Sequence, residues 1–195
     1  MTAIPEVTPR SGRAAAIVAA ARRILEDEGA DALTMRRLAA AVGIRAPSLY
    51  KHFPTKRAVE AALIEQGLIE LGGALHASLA AAATTTTTGR RGAVRCLLDA
   101  YREAARANPG LYRLATTGPL PREDLPPGLE DWAGEPFLLA TGDPWRAQAL
   151  FSFAHGMTIL ELDDRFPPGS DLERTWEAAA ETFSGEGDGT ARPQG

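Results

Sequence analysis

The chain has 195 residues, 45% hydrophobic and 24% charged, enough for one globular unit or two small ones sharing a core. Its single cysteine, Cys96, excludes an intrachain disulfide framework, and no run of about 18 uninterrupted apolar residues offers a membrane span. The net charge of −4 is unevenly spread: residues 1–57 hold ten Lys/Arg against five Asp/Glu, a net +5, and the rest eleven against twenty, a net −9. A basic head on an acidic body suits a chain whose one end meets a polyanion, although unequal solvated surfaces give the same arithmetic.

Residues 1–12, with Pro5 and Pro9 and no hydrophobic signal region, read as a flexible arm, and a cytoplasmic protein is expected. From Arg13 to Glu28, Ile17, Val18, Ala21, Ile24 and Leu25 share one helical face, and Gly29 stops the helix. Thr34 caps a short helix, Met35–Val42, that ends at Gly43. Another short helix opens near Ala46 with Pro47 in its first turn and runs to about His52. Thr55 caps a long fourth helix with a Leu68, Leu71, Leu75, Leu79 stripe, on which His76 reads as a surface or inter-domain residue.

Thr84–Thr88, with Gly89 and Gly92, reads as a loop before a fifth helix to about Ala107. Asn108-Pro109 reads as a cap and first-turn proline of a sixth helix, and a proline-rich connection leads to helical residues Leu129–Thr141. Asp143-Pro144 opens an eighth helix that is apolar nearly all round. Ser170-x-x-Glu173 reads as a capping box for a ninth, whose Leu172, Trp176, Ala179 and Phe183 form a seam; the Gly-rich tail is expected to be disordered.

Residues 34–57 carry the functional signal. Two short helices about a turn at Gly43 form a helix-turn-helix pattern, whose second helix would enter the major groove. Leu38, Ala39, Val42, Ile44, Leu49 and Phe53 fall on its inner side. On the outer side, Arg45, Ser48 and Lys51 could reach base edges, while Thr34, Tyr50, His52 and Lys56 could hydrogen-bond phosphates. A solvated amphipathic edge is the plainer alternative.

The strings Leu33-Thr34, Leu38-Ala39, Val42-Gly43 and Leu49-Tyr50-x-His52-Phe53-x-x-Lys56 resemble the TetR family of bacterial transcriptional regulators over about residues 13–57. The resemblance implies an all-α homodimer of about nine helices. Its domains would be residues 13–57, a three-helix DNA-binding unit, and residues 58–184, for ligand binding and dimerisation, with residues 185–195 a disordered tail. It places Arg45, Pro47, Ser48 and Lys51 where the recognition helix reads bases, with Tyr50 and Lys56 on phosphates. Further on, Asn108-Pro109-Gly110-Leu111-Tyr112 and Phe153-Ala154-His155-Gly156 look like the subclass named for a Trp-His-Gly string, with Ala154 in place of the Trp.

A ligand-responsive repressor is the expected reading: operator DNA, a second copy of the chain and a small, mainly apolar effector as partners, with no membrane and no cofactor. Tyr101, Tyr112, Trp132, Phe137, Phe151 and His155 are the candidate effector residues, although aromatics at helical spacing are core more often than pocket. His155 reads as either a core histidine bonded to a backbone carbonyl or a polar group of the pocket. Phe153, Met157, Leu172, Trp176 and Phe183 are the candidate dimer contacts, in a four-helix bundle of the last two helices and their mates. The alternatives are a regulator without small-molecule input, an activator, or a helical enzyme, which would need His155 and Glu161 to converge from different helical faces. No metal-binding or nucleotide-binding string occurs.

Overall fold

The computed structural model describes residues 4–6, 9–84 and 89–185. Among them are nine α-helices and no strand: α1 (Gly12–Glu28), α2 (Met35–Val42), α3 (Ala46–Tyr50), α4 (Lys56–Thr84), α5 (Gly89–Ala107), α6 (Pro109–Thr116), α7 (Leu129–Thr141), α8 (Pro144–Leu162) and α9 (Leu172–Ser184). The fold is the all-helical one expected, and none of these helices is long and apolar enough to cross a membrane.

Local chemistry sets most boundaries. The Ser11 hydroxyl accepts from Ala14 N–H at 3.3 Å, starting α1, and Asp143 accepts from Arg146 N–H at 2.8 Å, starting α8. Three details differ from expectation. Thr84, Gly89 and Gly92 are helical, leaving residues 85–88 outside the described chain. The helix α3 ends at Tyr50 rather than near His52. The cap of α9 is Asp171, which accepts from Arg174 N–H at 3.0 Å, while the Ser170 hydroxyl turns back to the Pro167 carbonyl. Most of the expected tail, residues 186–195, lies outside the described residues.

Two apolar cores are threaded by one helix. Ile17, Ala21, Ile24, Leu25, Leu38, Leu49 and Phe53 form the first with Val59 and Leu63 of α4 and Leu111 of α6. Leu75 of α4 joins Val94, Leu97, Leu98, Tyr101, Leu150, Ala154 and Trp176 in the second. A boundary at residues 57/58 therefore falls in the first turn of a continuous helix whose next turns still belong to the first core.

The two cores are also clamped together at α6. Both oxygens of Glu26 in α1 accept backbone N–H groups of α6, from Gly110 at 2.9 Å and Leu111 at 2.8 Å. A carboxylate at a helix N-terminus meets free donors and the positive end of the dipole. A Cβ at position 110 would lie 2.9 Å from the Leu25 carbonyl oxygen, so glycine is what allows this approach. Asn108 is not the side-chain cap expected; its Oδ1 accepts from Arg22 of α1 at 2.8 Å.

A similar close approach joins α4 to α7. A Cβ on Gly72 would meet the Trp132 ring at 2.5 Å. Next to it His76 is buried, stacked on Trp132 with centroids 4.9 Å apart and its Nε2 3.0 Å from the Trp132 carbonyl. His76, and not His155, is thus the core histidine bonded to a carbonyl. The surface or inter-domain position expected for it is corrected by α7 lying over that face of α4.

Candidate functional site

The N-terminal face is built on α2 and α3. The Thr34 hydroxyl caps α2 by accepting from Arg37 N–H at 3.1 Å, and its own proton remains free to donate. Gly43, at φ 70°, turns the chain in the left-handed region. Buried Leu38, Ala39, Leu49 and Phe53 then fix how α3 crosses α2. Thr34, Arg45, Pro47, Ser48, Tyr50, Lys51 and His52 are all exposed, and Tyr50 leaves 48% of its surface in water. An exposed aromatic on a short helix adds nothing to the core.

Charge pairing sharpens this face. Arg10, Arg22, Arg37 and Arg57 are held by Glu65, Glu70, Glu28 and the Glu123/Asp124 pair. The Arg37 bond holds the Glu28 carboxyl below the usual range. Lys56, in the first turn of α4, pairs with Glu60 at 3.3 Å, and the Thr55 hydroxyl caps that turn by accepting from Ala58 N–H. No carboxylate among the described residues pairs with Arg45 or Lys51, so both cations are available to an external anion.

The second half of the site is a cavity of about 690 Å³ enclosed by α4–α8. Five of the six candidate effector residues line it: Tyr101, Tyr112, Phe137, Phe151 and His155. Tyr101 meets Tyr112 and Phe137 edge-on, at centroid separations of 5.9 and 5.8 Å, and Phe137 meets Phe151 edge-on at 5.6 Å. The two tyrosine hydroxyls are 2.9 Å apart, and the Tyr112 oxygen is 2.8 Å from His155 Nδ1. Burial pushes the Tyr101 hydroxyl far up, that of Tyr112 up to about 12, and His155 below the usual imidazole range.

One expectation about this region is corrected. Trp132 stays out of the cavity, its ring occupied by His76 and Gly72. Ala154 is fully buried in the second core and does not face the cavity, so the space a Trp would fill there is taken by neighbouring side chains. Sequence reasoning missed Glu70, Asn108 and Gln148 at the cavity wall, and Arg22, which hydrogen-bonds both Glu70 and Asn108 from α1. Their only advance signal was their polarity, since their partners lie far along the chain.

The proposed dimer contacts need a similar correction. Trp176 is fully buried within its own chain, in edge contact with Phe153 at 5.5 Å and donating its indole N–H to Glu161. Met157 is 7% exposed, and Phe183 packs on Phe153 at 6.0 Å. The ring of Trp176 also lies 5.5 Å beneath the Arg102 guanidinium of α5, so the seam closes against α5 and α8, with Leu172 half-buried at its end. Glu161 binds Arg102 at 2.8 Å and does not line the cavity with His155, so the acid–base pair an enzyme would need does not form.

Helices α1–α3 thus present a helix-turn-helix face on a protein whose remaining helices hold a largely apolar cavity. Residues 17–63 match the model of the bacterial regulatory proteins of the tetR family. Nucleoid occlusion factor SlmA of Actinobacillus pleuropneumoniae is 38% identical over 98 residues, 50% of this chain and 46% of that protein. The tetracycline repressor protein class A from transposon 1721 of Escherichia coli is 44% identical over 54 residues, 28% of this chain and 25% of that one. The chain therefore spans about half the length, or less, of these curated relatives. A solved structure of a protein of unknown function from Rhodococcus sp. RHA1 shares the fold, with a TM-score of 0.71 at 22% identity over 90% of this chain and 95% of that one. By its N-terminal domain, residues 17–63, the chain is thus similar to the tetR family of bacterial regulatory proteins.

Proposed function

We propose that the protein is a cytoplasmic, ligand-responsive repressor that binds a palindromic operator as a homodimer and leaves it when a small, mainly apolar effector fills the cavity. The observation that carries this is the pair of ties from α1 to the cavity wall: Glu26 to the start of α6, and Arg22 to Glu70 and Asn108. Helix α6 carries Tyr112, so a ligand that prefers one setting of α6 also prefers one setting of α1 and of the helix-turn-helix packed on it. That is population shift by differential affinity. Arg45, Pro47, Ser48 and Lys51 read bases in this proposal, and Thr34, Tyr50, His52 and Lys56 hold phosphates. The His155-Gly156 string with Tyr112 supports a place beside the Trp-His-Gly subclass. A regulator without small-molecule input is disfavoured by the open cavity.

The dimer is assigned to α8 and α9, on faces other than the buried seam. Trp145, Ala149, Ser152 and Leu160 are exposed at helical spacing on α8, with Gly156 half-buried between them, and Trp145 is 77% exposed. Thr175, Ala178 and Thr182 form an exposed stripe of small residues on α9. Stacking these faces across a two-fold axis buries both. Ala149→Glu with Leu160→Glu is expected to give monomers of unchanged helicity in sedimentation velocity; a dimer would place the interface elsewhere.

Operator release tests the main reading. DNA upstream of the protein's own coding sequence is expected to shift in a gel and to be released by members of a lipophilic panel that also raise the melting temperature. Ala154→Trp, aimed at the packed second core, is expected to destabilise the protein and not to block the cavity selectively. Should no panel member move either signal, the sensor half of the proposal is wrong and the DNA-binding half stands.

A further inference from the structure

The hydroxyl protons of the cavity can be assigned one by one. Tyr101 is fully buried, and among the described residues its hydroxyl has a single partner, the Tyr112 oxygen. Tyr112 in turn reaches the Tyr101 oxygen and His155 Nδ1. If Tyr112 donated to Tyr101, the Tyr101 proton would be buried with no acceptor, which costs more than a hydrogen bond returns. With the buried Thr158 hydroxyl also beside Tyr112, every proton is satisfied when Tyr101 and Thr158 donate to the Tyr112 oxygen and Tyr112 donates to Nδ1. The imidazole is then neutral, with its proton on Nε2. An imidazolium would carry a proton on Nδ1, reverse the relay and orphan a buried hydroxyl.

Nε2–H has no partner among the described residues, and the ring lines the cavity, stacked on Phe151 with planes 19° apart. Among the described residues the cavity wall holds no lysine or arginine, and its two carboxylates, Glu70 and Glu130, are already engaged. Arg22 holds Glu70 through two hydrogen bonds with Gln66 adding a third, and Arg122 holds Glu130 through two. An organic anion would find carboxylates and no cation in a poorly hydrated space, and an ammonium would have to compete with two bidentate arginine pairs.

We propose that the cavity takes an uncharged, aromatic-sized molecule that offers a hydrogen-bond acceptor, such as a carbonyl oxygen, to His155 Nε2–H. This rests on the ligand-responsive reading and adds the chemical class of the ligand. Four probes of one shape separate the cases: benzophenone, diphenylmethane, diphenylacetate and benzhydrylamine, titrated against the full chain. Benzophenone is expected to bind about tenfold more tightly than diphenylmethane, and both charged probes more weakly than either. In His155→Phe, which keeps an aromatic ring and removes the donor, the ketone's advantage is expected to fall to within about twofold.

Imidazole ¹⁵N shifts of the ligand-free protein at neutral pH give a second readout, expected to show His155 as the Nε2–H tautomer and, in Tyr112→Phe, as a mixture. Equal binding of ketone and hydrocarbon, preferential binding of either charged probe, or an Nδ1–H or cationic His155 would overturn the assignment and leave the sensor reading intact. Binding by none of the four would remove the sensor reading and this inference with it.

Discussion

Trp176→Ala is expected to cost about 3–5 kcal/mol in urea unfolding, the range for deleting a large buried aromatic. The ring is fully enclosed, touches Phe153 edge-on and lies beneath Arg102, and its indole N–H is bonded to Glu161. Truncation leaves a hole in the second core and strips the Glu161 carboxylate of one of its two partners, so cavity and desolvation costs add. Trp176→Phe should lose less, because it keeps most of the volume and gives up only the indole hydrogen bond. A loss below about 1 kcal/mol for the alanine variant, together with conversion to a folded monomer, would instead return Trp176 to the dimer interface.

The second large effect is on DNA. In a symmetric dimer each contact occurs twice, so a base contact worth about 1–3 kcal/mol per half-site appears as twice that on a palindrome. Arg45→Ala and Ser48→Ala are therefore expected to change the order of preference among operator variants, Arg45→Ala by the larger factor. Lys56→Ala is expected to weaken all sequences about equally. A change of sequence preference in Lys56→Ala, read by competition binding, would exchange the assigned roles.

What the sequence made legible, and what it hid, follows from the range of each interaction. The Thr34 and Asp143 caps and the Gly43 turn depend on residues within a few positions, and they stand as read. The α6 cap did not, because the group that caps it is Glu26, 84 residues from Gly110, while Asn108 is drawn off to Arg22. The Leu172, Trp176, Phe183 stripe showed that one face of α9 is apolar; periodicity cannot say whether α5 of the same chain or a second copy covers it. The aromatic set was legible as a set because all but Trp132 project into one space from α5–α8. Trp132 was lost to a feature no composition reveals, the close approach that Gly72 permits between α4 and α7.

Salt dependence of operator binding bears most directly on the central claim, that the face from Arg45 to Lys56 docks on DNA through its cations. Fluorescence anisotropy of the labelled upstream fragment, titrated with the full chain from about 50 to about 300 mM salt, gives the slope of log K against log salt. A magnitude of about 4–8 is expected, falling by about two in Lys56→Ala as one phosphate contact is lost from each half-site. Binding that ignores salt, or a slope unchanged when Lys51 and Lys56 are both replaced by alanine, would contradict the assignment of this face to DNA.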